Sequence, residues 1–140
     1  MDKLQIRFRE PFLKDLIYKQ DRLSVKVKES DLHLLHSESL TGRALPIYTD
    51  VFSAALKLGY KKCNLSIVKA ILDKGIAPKY SAPWIIATDP ISSHQKQYFI
   101  NLHKKGSVLD VYLNPIIKSN RGGVVALSYW YGGNWWIFVK

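Results

Sequence analysis

The chain has 140 residues, 47% hydrophobic and 12% aromatic, with a formal net charge of +10. That length and apolar content suit one substantial core and exclude a disordered chain. No run approaches the roughly 18 uninterrupted apolar residues of a membrane span, MDKLQIRFREPF lacks the apolar centre of an export signal, and the lone Cys63 excludes an internal disulfide, so a reducing cytoplasm is expected.

KLQIRFR (3–9) alternates, placing Leu4, Ile6 and Phe8 on one face of a half-buried strand. Glu10-Pro11 then opens a helix, because proline is tolerated at the first helical position, and Phe12, Leu13, Leu16 and Ile17 form its apolar stripe. LSVKVK (23–28) alternates again and predicts a second strand. DLHLLHSESL (31–40) fits a short helix or a strand, and TGRALP (41–46) reads as loop.

A helix is predicted over about 50–58, capped within Tyr48-Thr49-Asp50 and ended by Gly59. Asn64 caps a second helix, LSIVKAILDK, with Ile67, Val68, Ile71 and Leu72 on one face and Gly75 as its stop. PWIIAT (83–88) is a short apolar run, expected as a buried strand. ISSHQKQYFINLHKK (91–105) is predicted as the longest helix, with Ile91, Tyr98, Phe99 and Leu102 inward and Gly106 as its end. SVLDVYL (107–113) is a strand.

The last segment, 122–140, reads as a hairpin turning at Gly132-Gly133, a pair suited to positive φ. That register pairs Trp130 with Trp135 and Tyr129 with Trp136. Trp136 then shares a face with Leu127, Tyr129 and Phe138, assigned to the core. Trp135 and Trp130 share the other, backed by the small Ser128 and Ala126, where a shelf is expected. Either both faces are packed, or the Trp135 face meets a partner. The expected class is α+β: a single domain over 1–140, an antiparallel sheet built largely from C-terminal strands, and three to four packed helices.

Charge is uneven along the chain. Residues 51–140 carry twelve Lys and Arg against only Asp73, Asp89 and Asp110, and hold all four tryptophans. Cations interleaved with aromatics point to a polyanion whose phosphates meet lysine and whose bases stack on rings. The expected function is therefore non-enzymatic nucleic-acid binding, RNA or DNA. Lys61, Lys62, Lys69, Lys104, Lys105, Lys118 and Arg121 are the phosphate contacts, and Trp130 and Trp135 the platforms. KSNRGG (118–123) also reads as a loop presenting backbone N–H groups and Arg121 to a phosphate, or as a plain strand connection.

Two alternatives stand beside this one. A metal-independent ribonuclease would use a His or Tyr for proton transfer and Lys or Arg for the phosphorane charge, with His103, His94 and Arg121 the candidates. A protein-interaction factor, binding an acidic or host protein, would use the aromatic hairpin as its anchor. Residues 51–75 loosely match a helix-turn-helix, although five residues (YKKCN) follow Gly59 where that motif has three or four. His33 and His36 would neighbour each other on a helix but lack a third ligand, so no metal or other cofactor is expected. P-loop, dinucleotide-binding and nucleophile-elbow patterns do not occur in the sequence.

Overall fold

Alternating burial runs through the first strand, β1 (Gln5–Phe8): Ile6 and Phe8 turn inward, while Gln5 and Arg7 stay in solvent. Pro11 opens α1 (Pro11–Ile17), which buries Leu13 and Ile17 completely. The structure, a computed structural model, describes residues 4–19, 22, 25–42, 47–79, 82–119, 122–125 and 134–140. Residues 25–28 form no strand, contrary to expectation. Val27 is buried without a ladder partner, Val25 is exposed, and 23 and 24 lie outside the described residues.

The ambiguous stretch 31–40 is both elements in turn, β2 (Leu32–His36) and then α2 (Ser37–Thr41). Buried Ser37 marks the switch: its N–H donates to Asn134 O (2.9 Å), and its Oγ accepts from Asn134 N (2.8 Å). The predicted loop at 41–46 is described only to Gly42, and 43–46 lie outside the described residues. α3 (Tyr48–Lys57) buries Val51, Phe52 and Ala55. Its N-cap is Ile47 rather than a polar residue, and Gly59 ends it at φ +90°. α4 (Leu65–Asp73) begins as expected, with Asn64 Oδ1 accepting from Ile67 N at 2.9 Å.

The remaining described elements are strands: β3 (Trp84–Ser93), β4 (Lys96–Lys105), β5 (Val108–Ser119), β6 (Gly122–Val125) and β7 (Trp135–Val139). The helix expected over 91–105 is thus the end of β3, a turn and β4. His94 and Gln95 form that turn at φ +51° and +65°, a conformation usually signalled by Gly or Asn. Phe99, Ile100, Asn101 and Leu102 are all buried because both sides of β4 are covered. A strand buried on both faces loses the alternation that identifies it. Gly106 ends no helix; at φ +61° it turns β4 into β5.

Six strands lie in the order β1-β5-β4-β3-β7-β2, and β6 pairs with β5. The fold is α+β, but the sheet is mixed rather than antiparallel throughout: β1 runs parallel to β5, and β3 parallel to β7. One face carries Ile86, Ile100, Leu102, Leu109, Val111 and Ile137 and is covered by α1 and α4. The other carries Ile85, Ala87, Phe99, Trp136 and Phe138 and packs against α3. Because α3 and α4 serve opposite faces, they do not form the helix-turn-helix considered from sequence.

The closing hairpin register is also corrected. At Trp135 and Trp136, β7 is paired with β2 on one side and β3 on the other. Both edges are therefore taken, and neither tryptophan pairs with Trp130 or Tyr129; residues 126–133 themselves lie outside the described residues. Among the described residues, no helix is long and apolar enough to cross a membrane.

Candidate functional site

Register brings three aromatic residues into one row on the α1/α4 face. His36 of β2 is the partner of Trp135 on β7, and Trp135 is the partner of Trp84 on β3. The rings of His36 and Trp135 meet edge-on, with centroids 4.7 Å apart. Next along the same strands come Leu34, Ile137 and Ile86. The covering helices leave this end of the sheet partly open: Trp135 is 38% exposed and Leu34 39%.

A cavity of about 520 Å³ opens there, floored by Leu34, Trp84, Trp135 and Ile137 and walled by Ile76 and Lys79. It falls within the usual size range of small-molecule pockets, about 300–1,000 Å³. A second groove, about 610 Å³, shares Glu29, Ile76 and Lys79 with it and continues past Lys74 and Lys104 to the β4–β5 turn at Gly106 and Ser107. The two make one cleft, aromatic at one end and lined by three lysines at the other. Lys74, Lys79 and Lys104 enter no ion pair among the described residues. Gly75 and Gly106, both at positive φ, form corners of the groove, with nothing within 4 Å of where a Cβ would stand.

The residues singled out from sequence divide sharply. Trp135 and Lys104 are in the cleft. Lys105, one step along β4, belongs to the opposite face. Lys61 exchanges backbone hydrogen bonds with Val139 at the sheet end. Lys62 pairs with Asp89 at 2.5 Å. Lys69 pairs with Asp73 at 3.3 Å and lies 5.8 Å from the Tyr18 ring centroid. Lys62 and Lys69 are engaged through their side chains and Lys61 through its backbone alone, and none of the three lines the cleft. Lys118 is on β5, where its backbone pairs with Gly123, and Arg121 and Trp130 lie outside the described residues.

Sequence reasoning missed Trp84, Lys74 and Lys79. The signal available was thin: Trp84 shares the parity of a buried strand, and DKGIAPK reads as an ordinary helix exit.

The histidines are rearranged too. His33 and His36, three apart on a strand, face opposite ways. His33 meets the Tyr60 ring at 5.0 Å, so the two form no metal pair. His94 and His103 share no helix; the first is in a turn beside Ser93 Oγ (2.9 Å), the second on β4. No group of three or more His, Cys, Asp or Glu suited to a metal occurs among the described residues. Cys63 is buried, and burial pushes its thiol up to about 12, so it is no nucleophile at neutral pH.

No family model matches this chain, and neither a characterised protein nor a solved structure matches it.

Proposed function

We propose that the protein binds single-stranded nucleic acid in this cleft. An unpaired base enters the aromatic end and stacks on Trp135 or Trp84, and the adjoining phosphates lie along Lys79, Lys74 and Lys104. One observation carries the reading: the partly exposed tryptophan and the three lysines line connected cavities, although they come from three separate stretches of chain. Stacking on an aromatic side chain needs no particular base, and lysine meets phosphate as a point charge, so the expected recognition is weakly sequence-specific. A duplex hides its base faces, so single strands are favoured.

The test is retention on immobilised single-stranded RNA at about 0.1 M salt, with the triple variant Lys74→Gln, Lys79→Gln, Lys104→Gln as the comparison. Three phosphate contacts on a single strand correspond to a log K against log salt slope near −2. Retention that the variant loses supports the reading. A wild-type protein that passes unretained, or a variant retained equally well, contradicts it.

A further inference from the structure

The opposite face of the same sheet carries a second cationic surface. On β5, Asp110 is fully buried, although it is the register partner of β1 residue Arg7 and β4 residue His103. Arg7 clasps it with two hydrogen bonds, Nε to Oδ1 at 2.6 Å and Nη2 to Oδ2 at 3.0 Å. Arg9 Nη2 lies 3.6 Å from Oδ2, and the Arg9 guanidinium stacks 4.2 Å from the centroid of the Tyr112 ring. Both arginine side chains remain largely open to solvent, 64% and 48%. Lys105 points to this face as well, two residues from His103. Glu10, the nearest other acid in sequence, is committed to the backbone N–H of Leu113.

One carboxylate therefore anchors two guanidiniums, and with Lys105 the surface has a net excess of positive charge. Arg7 spends only two of its five N–H donors on Asp110. This surface and the lysine groove are joined by the β4–β5 turn. Lys104 faces the groove and Lys105 the other side, and the groove itself runs to Gly106 and Ser107. Gln5 N donates to Ser107 O at 2.8 Å, which ties the start of β1 to the same corner.

We propose that a longer strand of nucleic acid leaves the cleft, rounds the β4–β5 turn, and lays further phosphates on Arg9, His103 and Lys105, with the Arg7–Asp110 pair as the positioning element. The proposal rests on the cleft reading and extends it from a short segment to a wrapped one.

The test uses two single-stranded oligonucleotides, about 4 and about 16 nucleotides, the limits usual for a small binding fold. The variant is Arg9→Gln, His103→Gln, Lys105→Gln, which leaves Arg7 and Asp110 to hold the sheet. The long strand is expected to bind this variant about tenfold or more weakly, with a salt slope shallower by about 0.7 for each phosphate no longer neutralised. Binding of the short strand is expected to be unchanged. Equal affinity and slope for the long strand in variant and wild type overturns the proposal. So does an equal loss for both lengths, which marks a general charge effect. If the wild type binds the short strand and Trp135→Ala removes that binding, the cleft reading stands whatever the long strand does. If the wild type binds neither, both readings fall.

Discussion

Trp135 and Trp136 are neighbours in the chain and opposites in environment. Trp136 is 1% exposed, set edge-on against Phe99 at 5.1 Å and Phe52 at 5.5 Å, while Trp135 is 38% exposed at the cavity. Replacing a buried tryptophan by alanine typically costs about 3–5 kcal/mol, a large share of a small domain's stability. Trp136→Ala should therefore unfold or severely destabilise the protein. Trp135→Ala should cost roughly 1 kcal/mol, as partly exposed positions do. Thermal melts of the two variants check this; equal losses would mean that the cavity is closed in solution.

The Arg7–Asp110 pair gives a prediction for stability in acid. The Arg7 guanidinium, by hydrogen bond and by charge, holds the Asp110 carboxyl below its usual range, against the opposing effect of burial. A carboxyl depressed in the folded state favours folding above its unfolded pKa. That contribution is lost as pH falls from the ordinary carboxylate range through the depressed value. Wild-type melting temperature should fall over that acidic window. Asp110→Asn should melt lower at neutral pH, with a flatter acid limb, and parallel curves for the two proteins would contradict the assignment.

Cys63 gives a prediction at the alkaline side. Its Sγ lies 3.7 Å from Ile137 O beneath the sheet end, and desolvation raises the thiol from 9.0 to about 12. Since the folded value is raised, the neutral thiol supports folding below about 9, and this support is lost as pH climbs through about 12. At pH 8, iodoacetamide should modify the native protein far more slowly than the protein in denaturant. Rapid native alkylation would show that the 61–63 segment opens readily.

The parts of the fold legible in sequence were those with one wet face or a local punctuation mark. β1 alternates, α1 begins at Pro11, and α4 is capped by Asn64 and stopped before Gly75. β4 was hidden because both its faces are buried and its turn uses His94 and Gln95 where glycine would have announced it. The place of β7 was hidden because its partners, β2 and β3, lie far away in sequence, whereas an adjacent Gly-Gly pair suggested a local hairpin. Of the cleft, Trp135 was legible by parity with Trp136, but Trp84, Lys74 and Lys79 join it only through long-range pairing and the path after α4.

The most direct test of the cleft is a fluorescence titration of wild type and Trp135→Ala with a short single-stranded oligouridine at fixed salt. A base stacked on Trp135 is expected to quench wild-type emission on binding. Removing that ring should weaken affinity by about 1–3 kcal/mol, roughly 5- to 150-fold, with little change in the salt slope, because the lysines remain. Trp135→Ala binding with wild-type affinity, while still folded, would contradict the cleft as the binding site.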